Sequence, residues 1–113
     1  MPQIKNHART LTLSEKDIPF RQMAETLKLL GNANRLMILS ILADSPQSVT
    51  AIHQLINEST KLSQSSLSQH LALLRAYKIV NFKKHGQRAT YYISNDRIIE
   101  LLKALEAFNS SQE

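Results

Sequence analysis

Residues 62–75 read LSQSSLSQHLALLR. Hydroxyls, amides and one imidazole crowd the first half: Gln64, Ser65, Ser66, Ser68, Gln69 and His70. Such groups can bond to the edges of DNA bases: Gln reaches adenine through two atoms, and Ser bonds to bases or phosphates. The second half is a leucine-rich helix pattern. Serine is a mediocre helix former, so its concentration at the start of an amphipathic helix asks for a reason beyond propensity.

Placed on a wheel of 100° per residue, Leu67, Leu71 and Leu74 fall within about 60° of one another and define a buried face. Ser65, Gln69, Ala72 and Ala76 fall opposite, flanked by Ser66 and Ser68. Ser63 is a natural N-cap for a helix running to Tyr77. The outer face is therefore small, polar and without acid. A helix that enters the major groove, about 12 Å wide, needs such a face. Its unpaired N–H groups and positive dipole end favour phosphate. A polar cap on an ordinary surface helix would look the same in isolation.

The segment after this helix argues against an ordinary surface helix. In VNFKKHGQRATYYIS, Val80 and Phe82 alternate with polar residues, Gly86 marks a turn, and Ala89, Tyr91 and Ile93 alternate on the return. This predicts a β-hairpin with Lys83, Lys84, His85, Gln87 and Arg88 at its tip. The net charge is +5, and the stretch from Ser59 to Asn95 holds six basic residues and no Asp or Glu. All the excess charge thus lies in one third of the chain, as suits a polyanionic partner.

The remaining elements are helical. Phe20, Met23, Leu27 and Leu30 form an apolar seam on a first helix that Gly31 ends. Asn32 can cap a second helix over Ala33–Ala43, whose LMILSILA core predicts burial on most sides, Met37 included. DSPQS reads as a loop with Pro46 as breaker. AIHQLINES reads as a short third helix with Ile52, Leu55 and Ile56 inward and His53 partly exposed. Asn95 or Asp96 caps a last helix striped with Ile98, Leu101, Leu102, Leu105 and Phe108. Residues 1–16 lack sustained periodicity and read as a flexible arm, and 17–110 as one DNA-binding and dimerisation domain. The order is α-α-α-α-β-β-α: mainly α with a small β-hairpin. Helices three and four can form a helix-turn-helix, and the hairpin its wing.

The segments LGNANRLMILSIL, SVTAI, LSQSSLSQHLALLR, IV and HGQRATYYIS resemble, in order over residues 20–108, the ArsR/SmtB family of bacterial winged-helix repressors. The likeness is to the branch with an SQ-S-x-LSQHL recognition helix, which includes virulence, nodulation and sulfide-responsive regulators. The resemblance implies a homodimer joined through the first and last helices, with Phe20, Met23, Leu27, Leu102, Leu105 and Phe108 at the interface. It further implies recognition helices in successive major grooves of a near-palindromic operator, with His70 contacting or buttressing the DNA site. Two departures stand out. The connector INESTKLS is longer than the family's by about one helical turn. The sensing residues are replaced: the metal-binding cysteines fall on Ser48 and Thr50, the thiol-switch cysteines near Ser40 and Ala107, and the last helix offers Asp96, Glu100 and Glu106 but no His.

The chain has no cysteine, which removes disulfides, thiolate metal sites and cysteine nucleophiles. His7, His53, His70 and His85 do not pair at helical spacing with one another or with a carboxylate, so no metal site and no cofactor are expected. With 2 glycines and no nucleophile, acid-base or phosphate-loop constellation, an enzyme is not expected either. No apolar run approaches the ~18–20 residues of a membrane span, and cytoplasm is the default compartment. The expected partners are double-stranded DNA and a second copy, with a small-molecule or protein effector left open. A winged-helix protein-interaction module and a non-specific DNA-binding protein are the alternatives. The former would show exposed aromatics or leucines where Ser65, Ser68 and Gln69 stand. The latter would need charge but not this helix.

Overall fold

The computed structural model describes residues 18–110; the expected arm at residues 1–16, with His7, lies outside them. The chain forms two compact units, one ending at Asn32 and the other beginning at Ala33. The described helix of the first unit is α1, Ile18–Leu30. Its Pro19 sits in the first turn, where the missing N–H has no intrahelical partner to lose. Gly31 closes the helix without a left-handed φ. Its N–H donates to Lys28 O at 3.3 Å, and a Cβ there would stand 3.2 Å from Leu27 O. Close approach, rather than conformation, favours glycine at this position.

The second unit runs α2 (Ala33–Asp44), β1 (Gln47–Ser48), α3 (Val49–Ile56), α4 (Gln64–Ala76), β2 (Val80–His85), β3 (Arg88–Ile93) and α5 (Asp96–Ser110). Helices dominate, and the strands form one antiparallel sheet in the order β1-β3-β2. This is the expected order plus one strand. Gln47 and Ser48, read as loop, pair with Tyr91 and Thr90. A two-residue strand is too short to carry an alternation signal. Ser48 then turns from the sheet into α3, its Oγ accepting the Ala51 N–H at 3.1 Å.

The core is wholly apolar among the described residues. Ile38, Leu39 and Leu42 of α2 meet Ile52 and Ile56 of α3, Leu67, Leu71 and Leu74 of α4, Val80 of β2 and Ile98 of α5 in burial. α2 packs on α3 and β3, and α4 packs on α3 and β2. Met37 is only half-buried. Leu55, expected inward, is exposed, because the i, i+4 pair Ile52 and Ile56 alone sets the buried line of so short a helix. β3 is the central strand and is half-buried on both faces from Ala89 to Ile93. Asn95 rather than Asp96 caps α5, its Oδ1 accepting the Arg97 N–H at 3.0 Å, with Asp96 favourably placed at the positive end.

α4 ends in a Schellman motif. The Lys78 N–H donates to Arg75 O and the Ile79 N–H to Leu74 O, both at 2.9 Å. Lys78 takes the left-handed φ of 62° that this motif gives most often to glycine. Leu74 and Ile79 are both buried, at the positions whose apolar contact usually accompanies the motif. A lysine in this conformation costs about 1 kcal/mol. Lys78→Gly should therefore stabilise the fold by roughly 0.5 kcal/mol once the entropy of a freer unfolded chain is deducted. The check is a higher urea midpoint at unchanged slope; a lower midpoint would show that the Lys78 side chain makes a stabilising contact larger than the backbone strain.

Candidate nucleic-acid interface

The N-terminus of α4 is built by one serine pair. Ser63 (φ −70°, ψ 155°) accepts the Ser66 N–H and donates its own proton to Ser66 Oγ, both at 3.0 Å. Ser66 is thereby half-buried in the cap, while Gln64, Ser65, Ser68 and Gln69 stay exposed. Leu67, Leu71 and Leu74 are at most 1% exposed, and Ala72 and Ala76 continue the open face opposite them. Leu62 and Leu67, both buried, occupy the two positions of a hydrophobic staple around the cap. The outer face is small, polar and acid-free, as the wheel predicts.

The long connector is tied rather than loose. Asn57, the C-cap of α3, accepts the Leu62 N–H through Oδ1 at 3.0 Å and donates through Nδ2 to His53 O and Leu62 O. His53 adds a ring hydrogen bond to the same Leu62 carbonyl at 2.8 Å. A carbonyl only accepts, so His53 Nε2 carries the proton. His53 is thus no idle surface residue. With Asn57 it clips both polar groups of Leu62 and delivers Ser63 to its capping position. Neither role was visible in the sequence, because an i, i+5 clip across a turn has no periodic signature.

The hairpin has the register Val80↔Ile93, Phe82↔Tyr91, Lys84↔Ala89 and His85↔Arg88. Gly86 has φ 67° and Gln87 does not share the positive sign, the pattern of a type II′ turn. Lys83, Lys84, His85, Gln87 and Arg88 are all exposed. Gln87 and Arg88 line a common groove with Thr50 and Gln54 of α3, so the wing tip and α3 share one surface. Arg75, part of the basic stretch, is engaged elsewhere. Its guanidinium lies 4.4 Å from the Phe82 ring centre, and its Nε–H donates to Asn81 Oδ1 at 3.2 Å. Phe82 in turn meets Tyr91 at 5.2 Å. Arg75 therefore joins the end of α4 to the root of the wing. Lys83 lies with its ammonium 5.8 Å from the Tyr92 ring.

His70 is half-buried, and its Nδ1 lies 3.3 Å from Arg35 Nη1 on α2. Burial first, and the neighbouring guanidinium second, hold its pKa below the ordinary histidine value. Arg35 is absent from the sequence-derived site. The signal for it was the one basic residue in a helix whose centre is apolar, since a charge that a core helix half-buries must find a partner.

Along α5 the apolar stripe runs into the open. Ile98 is 5% exposed, Leu102 half-buried, Leu105 37% and Phe108 64% exposed. On α1, Phe20, Met23 and Leu27 are 40%, 54% and 62% exposed. Among the described residues no three His, Asp or Glu side chains gather as a metal site would require, and no helix is long and apolar enough to cross a membrane.

The model of the arsR family of bacterial regulatory proteins matches residues 32–81, from the start of α2 into β2. The transcriptional activator HlyU of Vibrio cholerae is 37% identical over 108 residues, covering 93% of this chain and 94% of that protein. The crystal structure of NolR from Sinorhizobium fredii superposes with a TM-score of 0.74 at 34% identity, over 83% of this chain and 90% of that one. The solution structure of a fragment of Mycobacterium bovis Mb0332, a homodimeric winged helix-turn-helix DNA-binding domain, gives a TM-score of 0.74 at 25% identity over 86% of both chains. Likeness of this extent in sequence and in three dimensions makes the chain a member of the arsR family of bacterial regulatory proteins, a winged helix-turn-helix transcriptional regulator.

Proposed function

We propose that the chain acts as a homodimeric repressor that reads a near-palindromic operator, the N-terminal half of each α4 lying in a major groove and each wing on the flanking backbone. One observation carries this reading. The exposed N-terminal face of α4 presents Gln64, Ser65, Ser68 and Gln69 with no acid and no bulky apolar group, and the hairpin that follows α4 carries an exposed basic tip. A protein-docking face would carry aromatic or aliphatic anchors there. A non-specific DNA coat would have no use for amides at base-reading positions. Repression is the direction proposed because a dimer spanning two successive grooves occludes the promoter it covers. HlyU is named an activator, and transcription in vitro from a bound promoter separates the two directions: less transcript on adding the protein supports repression, more overturns it.

Base reading rests on Gln69 and its neighbour Ser68. Gln69→Ala should weaken the specific site by about 1–3 kcal/mol and relax its sequence preference. A footprint and affinity unchanged by that substitution would remove α4 from the reading role.

The wing is assigned to phosphate. Lys84→Gln or Arg88→Gln should weaken operator and random DNA alike and flatten the salt dependence by up to about one unit of slope per contact. Loss confined to the operator would instead make the wing a base reader.

The dimer is assigned to α1 and α5. Leu105→Asp should give monomers and sharply reduced operator binding, because one half-site offers too few contacts. Leu105 is 37% exposed, so the substitution should leave the core of the protomer intact. Sedimentation at the dimer mass for this variant would exclude the interface.

A further inference from the structure

The contact between Arg35 and His70 links the buried helix α2 to the helix proposed to read bases, and it constrains more than position. A guanidinium has only donors, so the nitrogen it approaches at 3.3 Å must offer a lone pair. His70 Nδ1 is therefore bare, and the proton of the neutral ring sits on Nε2. Protonating Nδ1 would set N–H against N–H and bring two cations into contact. An imidazole without such a neighbour exchanges between two tautomers and can donate or accept from either edge.

We propose that Arg35 is a positioning residue for sequence recognition: it holds His70 as the neutral Nε2–H tautomer, so that position 70 of α4 presents a hydrogen-bond donor to an acceptor atom of the DNA. The base acceptors in the major groove are guanine N7 and O6, adenine N7 and thymine O4; the amino groups of adenine and cytosine are donors and are refused. The half-buried setting of His70 and its lowered pKa keep the ring neutral near pH 7. His70 adjoins Gln69, whose amide can both donate and accept, so a donor of fixed identity beside it narrows what the pair accepts. The assignment rests on the DNA-reading role of α4.

Two measurements on the full chain test it. In nitrogen-resolved NMR of the side-chain imidazoles, wild-type His70 should show a protonated Nε2 and a bare Nδ1 at neutral pH. Arg35→Lys keeps a group that can only donate; Arg35→Met keeps the apolar stem and removes the donor. The lysine variant should retain the tautomer and the ratio of operator to random-DNA affinity. The methionine variant should show mixed tautomers and lose about tenfold in that ratio, with random-DNA binding unchanged, as expected for one hydrogen bond that discriminates. A wild-type His70 found protonated on Nδ1, or as the imidazolium, overturns the proposal without folding or DNA entering the result. So does a methionine variant that keeps its operator preference while the tautomers mix. A wild-type chain with no preference for any operator would instead bring down the DNA-reading role itself, and this assignment with it.

Discussion

The burial of one leucine face, Leu67, Leu71 and Leu74, determines how this molecule can be used. Each fully buried leucine contributes roughly 1.5–3 kcal/mol. Turning α4 by a single residue step would expose them and press serine hydroxyls and the Gln69 amide into an apolar core. That penalty is larger than the about 1–3 kcal/mol that one good base contact supplies. The outward aim of Ser65, Ser68 and Gln69 is therefore set by the core beneath the helix and does not await DNA. α3 and β2 form the walls against which the leucines pack, which is why the helix-turn-helix and the hairpin root are one construction.

Hydrophobic burial fixes the rotation of α4 about its axis but is a poor guide to tilt and to position along the axis, because it has no direction. Directional bonds supply what it lacks. At the N-terminal end Ser63 closes the cap, and Asn57 with His53 clips Leu62 immediately before it. On the flank Arg35 meets His70. At the C-terminal end Lys78 and Ile79 close the Schellman turn, and Arg75 reaches Asn81 and Phe82 on β2. Each bond contributes about 0.5–1.5 kcal/mol net. Placed at both ends and one side of a single helix, they hold it as a rigid element, which is the condition for reading bases at ångström tolerance.

What the sequence made legible was what depends on near neighbours. The leucine spacing of α4, the Ser63 cap, the alternation around Gly86 and the Asn95 cap are local patterns, and each stands where it was expected. What it hid depends on the chain returning to itself. β1 is a strand only because β3 lies beside it, and two residues cannot announce that. Arg35 and His70 are 35 positions apart, so no wheel could join them. The connector shows the same limit on a smaller scale: the Asn57 clip that ties it joins residues of unlike type across a turn. Leu55 failed for a different reason, since an 8-residue helix has room for one buried line and the sequence offered two.

The charge of the basic stretch illustrates why composition and geometry must be combined. Six cations between Ser59 and Asn95 would, by count alone, suggest as many phosphate contacts. In three dimensions they do unlike work. Arg75 stacks on Phe82 and bonds Asn81, so its charge braces the wing. Lys78 occupies the left-handed turn after α4, at the end opposite the serine cap. Lys83 lies over Tyr92. Lys84 and Arg88 are exposed on the wing together with Lys83, Arg88 in the groove it shares with Thr50 and Gln54, and Lys61 is exposed in the connector before α4. A similar conversion holds at Ser48, where the resemblance would put a metal-binding cysteine: the hydroxyl there caps α3, a task for which sulfur, a weak acceptor, is poorly suited. In both cases a residue that composition would assign to a ligand is instead used to hold the elements around α4 in place.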